Sequence, residues 1–322
     1  MTPARFEASH AALWDAFAAQ LADARLGMSV DGALLATRYR RVCEHLALAQ
    51  ARAYPLYLTT RLEVMAQEAH QLIYRRQDYG LRQFGRLLRL TLPRSVRAQR
   101  GYVLFALLLF LLPGLLCGVL SWLSPELPLH VLGAGQMRTY EAMYGDGEHA
   151  IGRLRNASGD WQMFGFYIFN NIGIGFRAFA SGLFAGVGSA VALVFNGVMI
   201  GSVAGHLTRV GVGHNFWPFV ATHSAFELTG IVLSGAAGLR LGLAWLAPGR
   251  RTRLESLRHA SPSAVALVYA AFFLLFVAAI FEAFWSSAAW IAPSVKFNVA
   301  AVCWLLVLAW LGLAGRGVER AD

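Results

Sequence analysis

Charge is scarce in this chain, and so are cysteine and any catalytic signature. Charged residues make up 14% of the 322 positions, where a water-soluble domain carries about a quarter. That shortage excludes an ordinary soluble globular protein. The three cysteines, Cys43, Cys117 and Cys303, are odd in number and far apart, which argues against a disulfide framework or a CxxC metal site. The opening MTPARFEASHAALWDAF has no basic cap followed by an apolar core and a small-residue cleavage site, so it does not read as a secretory signal. No HExxH, nucleophile elbow or Walker loop occurs.

What the chain does have is apolar sequence, at 57% of residues. It gathers after residue 101 in blocks of roughly 20 residues, the length a helix needs to cross hydrocarbon. Residues 1–100 contain no such block. The pattern predicts an all-α polytopic membrane helix bundle over 101–316, preceded by a cytosolic helical domain over 1–100 and followed by a short cytosolic tail, 317–322.

In the first hundred residues, Phe6, Leu13, Trp14, Phe17 and Leu21 recur at helical spacing, and 27–32 reads as a loop. A second helical pattern runs from Leu34 to about Ala53, Pro55 marks a break, and a third runs through Leu58, Leu62, Met65, Ala69, Leu72 and Ile73. After Gly80, Leu81, Phe84 and Leu88 share one helix face while Arg82, Arg86 and Arg89 share another. That suits a helix on a membrane surface or the face of a cytosolic bundle.

The formal charge is +10, and its placement matters more than its size. Eight arginines and one acid, Asp78, lie between Arg75 and Arg100, immediately before the first apolar block. The positive-inside rule puts such a segment on the cytoplasmic side. Arg82, Arg86, Arg89, Arg94, Arg97 and Arg100 are therefore assigned to anionic lipid contact. Nucleic acid is not an expected partner, because no recognition motif accompanies the charge.

The apolar blocks are Tyr102–Leu123 with a kink expected at Pro113-Gly114, 164–207, Phe216–Leu246, Ser263 to about Ser287, and Phe297–Gly315. A polar stretch, 124–160, holds five acids against three arginines. The basic 247–262 loop and Arg316 with Arg320 place those segments inside with 75–100. Two inside termini require an even number of crossings. The expectation is six, with 164–207 supplying a short one near 162–178 that turns at Arg177 and a full one near 181–207. The alternative is that NNIGIG, 170–175, re-enters the membrane instead of crossing it.

Several polar groups fall at membrane depth, where a charge costs about 2.5–3.5 kcal/mol on an insertion scale. His223 and Glu227 are one helical turn apart on a face continued by Ser234, Gly238 and Gly242. Glu282, in FEAF, lies in the next helix. Asn170, Asn171 and Asn196 would leave amides unpaired in lipid and should face protein. The set reads either as a polar site (proton relay, ion or substrate pathway, metal site) or as interhelical hydrogen bonding. No cofactor is predicted as such, though one histidine and two glutamates can hold zinc with a position left open, so His223, Glu227 and Glu282 are the metal candidates. Gly182, Gly186, Gly197, Gly201 and Gly205 recur four apart as a small-residue packing seam in the 181–207 helix.

Taken in order, NN (170–171), FASGLFAG (179–186), FNGVMIG (195–201), HSAFEL (223–228), GAAGLRLG (235–242) and FEAF (281–284) resemble the stage II sporulation protein M family. RYRRVCEHLALAQ (38–50) and AHQLIYRR (69–76) are similar to the cytosolic region of its longer, non-sporulating members. Two positions depart from the family pattern. Ser224 stands where glycine is usual after the histidine, and Ser286-Ser287 stand where Thr-Pro is common. The resemblance implies a bacterial inner-membrane scaffold, which in sporulating members recruits peptidoglycan hydrolases. The leading expectation is thus a non-enzymatic assembly protein that binds membrane lipids and either itself or envelope-remodelling partners. A proton- or ion-coupled transporter or channel using His223, Glu227 and Glu282 is the alternative, and an intramembrane metallohydrolase a third.

Overall fold

A computed structural model of the chain describes residues 1–26, 28, 30–73, 81–146 and 157–316. Arg75 and Arg76, part of the 27–32 and 124–160 stretches, and the 317–322 tail lie outside the described residues. The chain divides into two compact units, Met1–Leu81 and Arg82–Asp322. The division falls after Leu81, so residues 82–100 of the basic juxtamembrane segment that the sequence groups with 1–100 fall in the second unit.

The first unit is three helices, α1 (Pro3–Arg25), α2 (Gly32–Ala51) and α3 (Leu56–Ile73). Their apolar stripes meet in one core around Phe6, Trp14, Phe17, Leu21, Val42, Leu58 and Leu62. Asp31 stops the preceding loop and starts α2, its Oδ1 accepting from the amides of Ala33 and Leu34 at 2.9 and 3.2 Å. A short acceptor at the N-cap satisfies N–H groups that the helix cannot pair internally.

The boundary falls within the first residues of α4 (Leu81–Arg86), which a π segment (Leu87–Thr91) and α5 (Leu92–Ala98) follow. The long helices follow: α6 (Arg100–Leu123), α9 (Ala157–Ala180), α10 (Val187–Arg209), α11 (Gly213–Leu246), α12 (Arg253–Ile280) and α13 (Pro293–Leu313). Two short helices, α7 (Glu126–Leu132) and α8 (Ala134–Tyr144), lie between α6 and α9. Five of these helices are long and apolar enough to cross a membrane: α6, α10, α11, α13, and α12 together with the π turn (Phe281–Ser286) that ends it. Among the described residues there is no strand.

Helix α9 covers the segment read as a short crossing or a re-entrant turn, and it is not among the five helices long and apolar enough to span. It is continuous through NNIGIG and, with 24 residues, about 36 Å long at 1.5 Å per residue. It reaches from Trp161, whose ring meets Phe284 edge-on at 5.2 Å, to the 3₁₀ turn Ser181–Leu183, where Gly182 touches Gly238. Its asparagines and Arg177 lower its hydropathy without breaking its backbone. Pro113 likewise sits inside an unbroken α6.

The glycines form two seams rather than one. Gly197, Gly201 and Gly205 of α10 press on the backbone of Phe110, Gly114 and Gly118 in α6, so closely that a Cβ on any of the three would overlap a carbonyl. Small residues let helix backbones approach where hydrophobic burial gives no drive. Gly182 and Gly186 lie outside that ridge, in the turn before α10, and pack on Gly238 and Gly242 of α11. Gly186 also has φ +81°, a left-handed turn that a side chain would strain.

The arginine-rich segment also departs from expectation. Arg86, Arg89 and Arg100 are exposed, and the side chain of Arg82 lies outside the described set. Arg94 and Arg97 instead point into protein. Arg97 donates to the Leu311 and Ala314 carbonyls, each at 2.7 Å, and Arg94 to that of Gly315 at 2.9 Å. These are the orphan acceptors at the end of α13, where the helix dipole favours a cation.

Candidate functional site

Three helices bring polar groups together inside the second unit. His223 and Glu227 project from α11 one turn apart, with imidazole Nε2 3.6 Å from Glu227 Oε2. Glu282 comes from the π turn at the end of α12, and one ligating atom from each of His223, Glu227 and Glu282 lies within 4.8 Å of the others. π turns are uncommon and occur frequently at functional sites; this one carries both Glu282 and Ser286.

Each member of the cluster has a supporting contact. Asn171 Nδ2 on α9 donates to Glu282 Oε2 at 3.1 Å, and Asn170 Nδ2 donates to Asn171 Oδ1 at 3.1 Å. Ser286 Oγ meets His223 Nδ1 at 3.0 Å, and Phe219 sets the ring edge-on at 5.4 Å. His223 is 3% exposed, so one ring nitrogen is held by serine while the other faces carboxylates. Groups this close can share a proton or a cation.

Not all of the expected residues join. Asn196 donates to the Ala192 carbonyl of its own helix at 2.7 Å, which satisfies the amide locally and leaves it outside the cluster. Ser234, expected among the helix-packing residues and not in the cluster, is fully buried beside Gly175 of α9. Ser224, the departure from the family glycine, accepts a hydrogen bond from Trp304 Nε1 of α13 at 3.3 Å.

Ser286, which the sequence marked only as a departure from the family pattern, thus joins the cluster. The structure also adds residues that the sequence reading passed over. Lys296, in the first turn of α13, is one: its Nζ donates to the Ser286 carbonyl at 2.8 Å. A second histidine–carboxylate contact joins His206 Nε2 of α10 to Glu141 Oε1 of α8 at 2.7 Å. Tyr144 of α8 packs edge-on against Phe216 and Phe219. Burial, then the negative charge of Glu282, pushes its phenol pKa up from 10. Lys296 is the only lysine among 28 lysine and arginine residues, a singularity that could have drawn attention to it.

The cluster faces a cavity of about 830 Å³ between α6 and α10 on one side and α11 and α13 on the other. Trp122, Tyr140 and Trp217 line it together with His223, Glu227 and Glu282. Its walls are mostly apolar, so the cluster is a polar spot in a greasy groove. Such a spot can hold a proton, bind a cation, or hydrogen-bond a group entering from the groove. The donor set of one imidazole and two carboxylates suits zinc or a similar divalent ion in type and number.

Comparison with known families bears on these elements directly. The profile of the family described as stage II sporulation protein M matches residues 105–287, which includes His223, Glu227, Glu282 and Asn171. A second profile, described as a domain of unknown function, matches residues 4–75 in the first unit. No curated protein and no solved structure gives a significant match.

Proposed function

The chain belongs to the stage II sporulation protein M family, and on that premise we propose that it is an assembly protein of the bacterial cytoplasmic membrane. Its role is to hold envelope-remodelling partners, or further copies of itself, in place. Family membership carries this reading. The architecture supports it, because the glycine seams lock α6 to α10 and the 181–188 turn to α11 through backbone contact. Interlocked backbones favour a rigid platform over sliding parts.

In this reading the arginine-rich end, with α5 and both termini, lies on the cytosolic side. The three-helix unit meets cytosolic partners, and the segment from 124 to 160 meets partners outside. The polar cluster then holds α9, α11 and α12 in register. Affinity purification from native membranes, with and without residues 1–73, tests this. Defined partners should be recovered by the full chain and a subset lost from the truncated one. Recovery of the same proteins by both, or of none, would remove the basis for the reading.

A second reading has its own observation. His223, Glu227 and Glu282 sit together on a cavity inside the bundle, the arrangement a proton- or ion-coupled transporter needs. Reconstituted protein would then carry proton or cation flux that Glu227→Gln abolishes. Equal leak from both proteins, at the level of empty vesicles, counts against it.

A further inference from the structure

The chain's one lysine lines a second cavity, separate from the groove and about 230 Å³ in volume, with His214, Asn215, Ser287 and Pro293 on its walls. Lys296 is 7% exposed. Its ammonium has three N–H groups, and the hydrogen bond to the Ser286 carbonyl uses one. Among the described residues no carboxylate pairs with it. The other wall groups are already engaged. Asn215 Nδ2 donates to the Tyr144 carbonyl and to Asp146 Oδ1, Ser287 Oγ donates to the Ala283 carbonyl, and His214 Nε2 lies 3.7 Å from Asp146 Oδ1.

Two features make this position unfavourable for a lone cation. Burial strips an ammonium of water, and a single carbonyl does not replace it. Lys296 also sits in the first turn of α13, at the positive end of the helix dipole, where cations are disfavoured and anions favoured. Helix α11 begins beside the same cavity, at Gly213, and neither helix has a side-chain N-cap. The positive ends of both helix dipoles add to the potential there, although Pro293 has no N–H and the N–H groups of Asn215, Phe216, Val295 and Lys296 already donate to the Val212 and Ala292 carbonyls. A buried cation, two helix starts and room for a small guest together call for a negative ligand.

We propose that this cavity is an oxyanion site that takes a phosphate group on the Lys296 ammonium, either as free phosphate or as the phosphodiester of a lipid headgroup. Trp217 and Trp290, both exposed at this end of the bundle, mark the depth at which headgroups lie. Ser286 links the site to the cluster, since its carbonyl receives Lys296 while its hydroxyl meets His223. The proposal stands apart from the assembly role and does not depend on it.

The test uses the full chain in a lipid-free detergent, titrated at constant ionic strength with inorganic phosphate and, separately, with a short-chain phosphatidylglycerol. Saturable binding of phosphate identifies a free-anion site, and binding of the lipid alone identifies a headgroup site. Lys296→Met should weaken the effective ligand at least tenfold, while Lys296→Arg keeps binding within a few fold. Binding of neither ligand overturns the proposal, as does Lys296→Met binding within twofold of the parent. Should Lys296→Met fail to fold, the parent protein decides alone: its Tm should rise and plateau with ligand concentration, and a flat Tm overturns the site.

Discussion

Ser286 and His223 meet across the contact between the end of α12 and α11, Oγ to Nδ1 at 3.0 Å. The contact fixes which ring nitrogen faces the carboxylates, because a nitrogen held by serine leaves Nε2 directed at Glu227. Ser286 is also one of the two places where the sequence departs from its family's pattern. Replacing it by alanine strands a buried imidazole nitrogen, so Ser286→Ala should destabilise the fold by about 1–3 kcal/mol. Ser286→Thr, which keeps the hydroxyl, should cost less. Thermal unfolding in detergent measures both, and an unchanged Tm for Ser286→Ala would mean that the hydrogen bond holds nothing.

The seam between α6 and α10 predicts a sharp positional contrast. A Cβ at Gly201 would overlap the Gly114 carbonyl, whereas a Cβ at Gly101 meets nothing within 4 Å. Gly201→Ala should cost about 1–3 kcal/mol by overpacking, and Gly201→Leu more. Gly101→Ala should be neutral or slightly stabilising, since alanine is the better helix former by about 1 kcal/mol. Comparable Tm values for the Gly101 and Gly201 variants would show that the helices are not in backbone contact.

Arg97 and Arg86 separate structure from lipid binding. Arg97 holds two carbonyls at the end of α13, so Arg97→Ala should lower Tm without lipid, by an amount corresponding to about 1.5–3 kcal/mol for bonds from a charged donor. Arg86 is exposed. Arg86→Ala should leave Tm alone and weaken stabilisation by anionic lipid by about 1 kcal/mol. The reverse pattern would return Arg97 to the lipid surface.

The three-helix unit should be sensitive to acid. Trp14 Nε1 donates to His45 Nδ1 at 3.0 Å, and His10 stacks on the same ring at 4.1 Å. Burial, then the neighbouring His10, holds the His45 pKa below its usual 6.5, with Glu44 opposing and Arg41 adding slightly. The unfolded chain therefore takes up this proton at higher pH than the folded one does. The His45 contribution is present above pH 6.5 and is lost as pH falls below it. Hydrogen exchange in α1 and α2 should be faster at pH 5.5 than at pH 7.5 after correction for intrinsic rates, and His45→Gln should remove most of the difference. No difference in the parent protein would contradict the assignment.

Periodicity and hydropathy made most of this architecture legible, because each is a property of one segment. The three N-terminal helices, the apolar blocks and the depth of His223, Glu227 and Glu282 can all be read along the chain. What the sequence hid depends on partners far away in it. Arg94 and Arg97 look like any juxtamembrane arginines until they meet carbonyls more than 200 residues later. Asn196 looked like a site residue, but a bond to its own helix accounts for it. Helix α9 was read as short because the apolar 164–207 block had to be shared between two crossings, whereas the helix begins earlier, at Ala157, in sequence that reads as polar. Ser286 and Lys296 are ordinary residue types near helix ends, and only the π turn and the start of α13 bring them together.

The most direct check of the assembly account is the mass of the particle extracted from native membranes with its surrounding lipid. The account predicts a defined complex, heavier than one 35.1 kDa chain and containing either more copies of it or envelope-remodelling partners. A particle holding a single chain and lipid only, from a protein whose vesicles show flux that Glu227→Gln abolishes, would contradict it.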